Sequence, residues 1–471
     1  MRVQEDIKTA GYFWLPFAPE NQVPGTLSIT EGGRIELEIV GLFNEKVNSL
    51  KGSREANRSN KNFIDYRIPR IVGQVEKYGM VTLDNCFYLK KNYASIFGGI
   101  SKSLLFAHKA FLGVAFDEGE SILINSFEFS VEGIDEWVGL SGIKISIGMK
   151  DNTSSITNKP PETIVFHLNN GMKMMILFYS SVSEIGQITE AKVTQKAFFK
   201  LVSEQNRQLD EFTSMSYKLI TLLCFALEKT VGIEQVSVTT SEYSLEVGGK
   251  NTPQKILLFF QSRPYLKEPP SIDRHKMLFN YPQISENAEE IINNWLNAYD
   301  SFGSALNLYF LAVTGSSENL NSRFLTLVQG LETYHRGTTN DTYTNMEEFN
   351  SLVETLISVC PDEHRKWLCN RLYRSNEISL SNRIKNIIEP YKEFFGSRSE
   401  RKKLIWLITV TRNYLTHYDN DLKDEAVHGK EIYELCNKIE AIFQLHLLQV
   451  LGFTSDEIKS VFEESLKYKV K

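Results

Sequence analysis

Apolar residues alternate with polar ones through the first half of the chain and recur every three to four positions through the second. Leu27 and Ile29, then Ile35, Leu37 and Ile39, flank Glu31-Gly32-Gly33-Arg34, and this two-residue period about a Gly-rich turn predicts a β-hairpin. Residues 163–168 and 172–179 repeat the arrangement around Asn169-Asn170-Gly171. Further strand-like runs cover 71–76, 110–116, 122–131 and 256–261. One helix interrupts them at 209–229, with Leu209, Phe212, Tyr217, Leu219, Ile220, Leu223 and Leu227 at helical spacing. The run Tyr12, Phe13, Trp14 reads as core in preference to a recognition surface. Residues 51–62 read as a polar, basic loop.

The pattern breaks at Arg263-Pro264-Tyr265-Leu266-Lys267-Glu268-Pro269-Pro270, where prolines exclude helices and interior strands. Beyond it the apolar positions predict helices at 286–313, 319–336, 346–358, 362–374, 380–394, 400–418, 428–450 and 455–468. Pro361 opens one, Gly396 closes another, and Thr454-Ser455-Asp456-Glu457 has capping-box form. The expected class is an α+β multidomain chain: a β-rich domain over 1–262, a Pro-rich linker over 263–285, and an all-α bundle over 286–471.

At 471 residues the chain is too long for one ordinary core. Its longest apolar run, 219–227, lies between Lys218 and Glu228 and is too short to span a bilayer. No apolar segment follows the polar first six residues, so a cytoplasmic protein with no membrane partner is expected. Five cysteines without a CxxC pair indicate neither a disulfide framework nor a zinc site, and no P-loop or dinucleotide fingerprint is present. No cofactor and no metal are expected.

The formal charge of −6 argues against a protein coated in nucleic acid, but a cleft has its own field. From Arg398 to His417 there are five fixed cations (Arg398, Arg401, Lys402, Lys403, Arg412) against one anion, Glu400.

That segment ends in Arg412-Asn413-Tyr414-Leu415-Thr416-His417. Arginine is a permanent cation whose fork suits a phosphate. Histidine can take a proton from a ribose hydroxyl or give one to a leaving oxygen near neutral pH. Together they are minimal parts for cutting RNA without a metal. The competing reading is chance, since only two positions of six are fixed. On an ideal helix His417 lies about 140° around from Arg412. Asn413, four residues before His417, shares its face and is placed to hold the imidazole.

Arg-x4-His is the signature of the HEPN ribonucleases, and other segments resemble the same family. Residues 324–336, ending in Glu332-Thr333-Tyr334-His335-Arg336, resemble the family's earlier Glu-x-Tyr/Phe-His-Arg helix. Leu380-Ser381-Asn382-Arg383-Ile384 resembles its Leu-x-x-Arg helix. Their order and spacing are those of HEPN domains of the ApeA anti-phage type. Gly11-Tyr12-Phe13-Trp14-Leu15-Pro16, Val23-Pro24-Gly25-Thr26-Leu27 and Leu37-Glu38-Ile39-Val40-Gly41-Leu42-Phe43 resemble the opening of the ApeA N-terminal domain.

The resemblance implies a bacterial abortive-infection protein in which a β-rich sensor or regulatory domain controls a HEPN ribonuclease. It implies a homodimer or higher oligomer in which two copies of the motif form one composite site. It also implies a phage-derived trigger and an RNA substrate such as tRNA or mRNA. Glu332, His335 and Arg336 would then be a polar cluster supporting the cleft. Glu332-x-x-His335 taken alone has the spacing of a di-iron ligand pair, but no second such motif accompanies it. His428 and His446 are read as structural or surface residues, and His108, His167 and His275 have no partner at catalytic spacing.

In the expected chemistry His417 is base, acid or both, Arg412 binds the phosphate and stabilises the transition state, and Asn413 orients His417 or binds a phosphate oxygen. Arg398, Arg401, Lys402 and Lys403 oppose the dipole of the helix they open, which favours RNA binding over a solvated turn as their role. Two rivals stand beside this reading. One is a non-catalytic HEPN module binding RNA or a nucleotide within a regulatory or toxin–antitoxin-like complex. The other is a structural helical dimerisation domain with the β-half as effector.

Overall fold

The structure, a computed structural model, describes residues 1–43, 67–93, 99–148, 153–183, 188–247, 249–315, 319–373 and 375–471. The basic loop expected at 51–62 lies outside the described residues. The chain divides into two units, Met1–Glu289 and Glu290–Lys471.

Sixteen strands are present among the described residues of the first unit. Six of them are β1 (Ile7–Trp14), β2 (Val23–Thr30), β3 (Arg34–Val40), β4 (Arg67–Val75), β5 (Gly79–Tyr93) and β6 (Lys102–Leu112). They pair antiparallel in the order β6-β3-β2-β1-β4-β5, and β5 returns to β6, which closes a barrel. The alternation seen in sequence explains its core. Leu27 stands opposite Leu37 and Ile29 opposite Ile35, and all four side chains are buried. The turn between these strands needs glycine. Gly33 has φ 74°, and a Cβ there would collide with the carbonyl of Phe260. In β1 the aromatic run splits by period two: Phe13 is fully buried and Tyr12 is 57% exposed.

The second half of β6 pairs with β16 (Ile256–Phe260) instead of β3. From there an antiparallel sheet runs outward through β13 (Ile233–Thr239), β7 (Leu123–Val131), β12 (Val193–Gln208), β11 (Lys173–Val182) and β10 (Ile164–His167). Two small hairpins complete the strands, β8 (Ile143–Gly148) with β9 (Thr153–Asn158) and β14 (Ser244–Val247) with β15 (Lys250–Pro253). A short helix α1 (Ile134–Val138) follows β7, and α2 (Leu209–Leu227) packs on β7 and β12, with Phe212 stacked on Phe127.

The Pro-rich stretch expected to link two domains is instead packed into this first unit. The Arg2 guanidinium donates to the Lys267 carbonyl at 2.8 Å, the Tyr265 hydroxyl donates to Glu31, and the Leu278 N–H donates to the Ala226 carbonyl at 2.8 Å. Met277, Leu278 and Phe279 are buried, and α3 (Tyr281–Ile284) follows. Prolines suggest exposure, but the apolar residues between them carry the segment inward.

The helical elements are α4 (Ala288–Thr314, kinked at Phe302), α5 (Leu320–Thr338), α6 (Met346–Ser358), α7 (Asp362–Leu372), α8 (Leu380–Ile388), α9 (Arg398–His417), α10 (Lys430–Leu451), α11 (Ser455–Val461) and α12 (Lys467–Val470). A 3-10 segment, Glu389–Phe395, takes the end expected of α8, and a π turn, Phe462–Leu466, separates α11 from α12. His428 precedes α10 rather than lying in it.

The centre of the helical unit is α10, whose Ile439, Ile442, Phe443, Leu445 and Leu447 are fully buried. Phe443 meets Tyr309 of α4 and Tyr334 of α5, and Gly330 leaves room for its ring: a Cβ there would sit 3.1 Å from Phe443. Buried Lys469 reaches Glu440 at 2.6 Å, and Arg323 bonds the other oxygen of the same carboxylate. Among the described residues no helix is long and apolar enough to cross a membrane.

Candidate active site

Helix α9 is fixed at both ends by its own sequence. Ser397 and Glu400 form a capping box, with the Ser397 N–H donating to the Glu400 carboxylate at 2.7 Å. At the other end Tyr418 adopts the left-handed conformation (φ 54°) and its N–H donates to the Tyr414 carbonyl at 2.8 Å. Leu404, Ile408, Thr411 and Tyr414 are buried along the helix. Thr411 accepts from the Val427 N–H at 3.2 Å, and Tyr414 packs on Tyr418 and His428, so the chain leaving the helix is drawn back over it.

Arg412 and Asn413 lie half-buried beside this packed face, and His417 is exposed as the last residue of the helix. The Arg412 Nη1 donates to the Asn413 Oδ1 at 3.2 Å. The sequence assigns Asn413 to orienting His417 or binding a phosphate oxygen; here its side-chain oxygen accepts from the neighbouring guanidinium. It therefore fixes the cation, while His417 stands free at the helix end with no protein partner among the described residues. The arrangement offers a phosphate a preset guanidinium and offers a substrate proton an accessible imidazole.

The supporting cluster forms where α5 meets α8. His335 is 2% exposed, and its Nδ1 faces the Arg383 guanidinium at 3.3 Å and the Thr339 hydroxyl at 3.0 Å. Its Nε2 lies 3.4 Å from the Asp341 carboxylate without forming a hydrogen bond. Arg336 donates to Glu332 at 3.0 Å and pairs with Glu377, which also approaches Arg383 at 3.5 Å. Burial, reinforced by Arg383, holds the His335 imidazole below its ordinary pKa and so favours its neutral form. Both α5 and α8 also pack on α9, so the cluster ties together two helices that contact it.

Glu332, His335 and Arg336 are legible in the sequence as a cluster, whereas Arg383 stands there only as the arginine of the Leu-x-x-Arg helix, with no role of its own. Glu377, Asp341 and Thr339 carry no signal, because they lie in short segments between helices.

The four cations opening α9 are not alike. Arg401 donates to the Lys392 carbonyl at 3.3 Å and to the Gly396 carbonyl, closing the turn before the helix. Lys403 lines a cavity of about 790 Å3 in which carboxylates outnumber lysines, seven to four. Arg398 and Lys402 are exposed.

Among the described residues no three His, Cys, Asp or Glu side chains are grouped as metal ligands. The first unit holds a separate cavity of about 560 Å3, where the Tyr179 hydroxyl and the Lys255 ammonium both donate to the buried Glu128 carboxylate, at 3.0 and 2.7 Å.

Residues 8–295 match the family model described as ApeA N-terminal domain 1, and residues 325–457 match the model described as Apea-like HEPN. No curated protein matches the chain.

Proposed function

The chain belongs to the ApeA family, whose HEPN-class domain marks a defence-associated nuclease at family level, and from that premise we propose that α9 carries a metal-independent endoribonuclease site. The observation that carries the reading is the Arg412–Asn413 pair half-buried on the helix that ends in exposed His417. RNA supplies its own nucleophile, the 2′-hydroxyl, so the protein has to remove one proton and stabilise one developing charge.

His417 takes the proton from the 2′-hydroxyl or returns one to the departing 5′-oxygen, a contribution of about 10²–10⁴-fold in rate. Arg412, held by Asn413, binds the phosphate and meets the charge that builds on its equatorial oxygens. The 2′-oxygen–phosphorus bond forms as the phosphorus–5′-oxygen bond breaks, leaving a 2′,3′-cyclic phosphate and a 5′-hydroxyl. One imidazole cannot serve both sides of the same phosphorus, so two copies of the motif share one composite site in a homodimer or higher oligomer. Glu332, His335, Arg336 and Arg383 support the helix from behind. Arg398, Arg401, Lys402 and Lys403 attract the RNA backbone, with Arg398 and Lys402 the least encumbered. The β-rich unit regulates the site in response to a phage-derived signal, and its Glu128 cavity is one candidate receptor. The setting is abortive infection in the bacterial cytoplasm.

End-group analysis tests this reading. Cleavage in the presence of EDTA should leave 2′,3′-cyclic phosphate ends. Strict dependence on Mg²⁺, or 3′-hydroxyl ends, would show that another centre does the chemistry. The rival, a HEPN module that binds RNA without cutting it, predicts intact RNA in the same reaction.

A further inference from the structure

Helices α6 and α7 form a hairpin whose main packing is within itself. Its base is clamped. The Tyr343 N–H donates to the Asn376 carbonyl at 2.7 Å, the Thr344 N–H donates to the Asn376 side chain at 3.1 Å, and Thr342 bridges to Glu377. The surface beyond the clamp is therefore presented in a fixed orientation.

That surface is unusually apolar for one left open. On α6, Phe349, Leu352, Val353, Leu356 and Ile357 recur at helical spacing, yet only Phe349 is buried, with Leu352 46% and Leu356 39% exposed. On α7 no residue is buried, and Trp367 is 60% exposed. An 11-residue helix with no buried side chain gains little from its own unit, and helices shorter than about 12–15 residues are marginal alone in water. Burying the stripe and the tryptophan requires a partner.

The charges identify the partner. Helix α6 carries Glu347, Glu348 and Glu354 and no cation, whereas α7 after its first turn carries Arg365, Lys366 and Arg371 and no anion. Among the described residues no ion pair joins the two helices. A partner of one sign would satisfy only one of them, but a second copy related by a two-fold axis satisfies both. Register agrees. Glu348, Leu352 and Leu356 form one row at four-residue spacing, and Trp367 and Arg371 form another. Counted from the connection at Cys360, Leu352 stands level with Trp367 and Glu348 with Arg371, to within about one residue rise.

We propose that the α6–α7 hairpin docks on the same hairpin of a second copy of this chain, α6 of each against α7 of the other, to close a four-helix bundle. The two-fold axis runs along the bundle. The row of Leu352 and Leu356 receives Trp367 of the partner subunit, and Glu348 meets the partner's Arg371. The proposal does not depend on the nuclease reading.

The test is the mass of the full chain at micromolar concentration by sedimentation velocity. Trp367→Ala should halve the assembled mass, and so should Glu348→Lys and Arg371→Glu, each alone. An equal mixture of the two charge-reversed chains should recover the wild-type mass, because each then offers the complement of the other on both faces. Such recovery cannot come from misfolding. A Trp367→Ala chain with wild-type mass, or a mixture that stays dissociated, would overturn the proposal.

Discussion

At the scale of single residues, two histidines show how environment sorts identical side chains. His446 is buried in α10, where its Nε2 donates to the Ile387 carbonyl at 2.8 Å and its Nδ1 faces the Tyr334 hydroxyl at 3.4 Å. Burial pushes its pKa down to about 4. The unfolded chain, with an ordinary value near 6.5, therefore takes up this proton first as the pH falls. The stabilisation is full above about pH 6.5 and is lost on the way down to about pH 4, to an extent of roughly 3 kcal/mol. Titration of the imidazole resonances checks this: His446 should inflect near pH 4, and an inflection near 6.5 would contradict the buried, neutral assignment. In sequence His446 reads only as structural or surface, because its burial depends on α5, α8 and the following 3-10 segment closing over α10. By contrast, Arg412, Asn413 and His417 are legible as a motif. The partner of Asn413 is not, since helical spacing points to His417 while the rotamers place the amide on the adjacent arginine.

At the scale of elements, the helices of the second unit are legible because their apolar stripes keep the 3.6-residue period. The hairpins at 27–39 and 163–179 are legible from alternation and glycine turns. The long strands β5 and β12 are not, because many of their positions are polar or charged, so little apolar alternation is left to read. In sequence the start of α9 offers four equivalent cations, and the structure separates them. Replacing Arg398, Arg401, Lys402 and Lys403 by glutamine should weaken RNA binding and flatten its salt dependence, by roughly 0.7 in log–log slope for each phosphate left without its cation. Arg401→Gln alone should also cost about 1 kcal/mol of stability, because it removes the donor to two backbone carbonyls. Binding isotherms across a salt series with parallel thermal melts separate the two effects. An unchanged slope in the quadruple variant would leave the turn as solvated surface.

At the scale of the whole molecule, the boundary lies at Glu289/Glu290, later than the Pro-rich stretch suggests, because that stretch is stitched into the β-rich unit. A fragment of residues 286–471 keeps all of α4 and should fold with a cooperative melt and self-associate at micromolar concentration. A fragment that stays unfolded would mean that the helical unit needs the β-rich unit to fold. The central claim is that His417 performs the chemistry. The most direct measurement compares RNA cleavage by full-length wild-type protein and His417→Ala in EDTA, with circular dichroism and melting temperature recorded on both. Because His417 is exposed and bonded to nothing among the described residues of its own chain, the variant should keep the fold and melting temperature and lose cleavage by at least about 10²-fold. Cleavage at the wild-type rate by a folded His417→Ala chain would contradict the account.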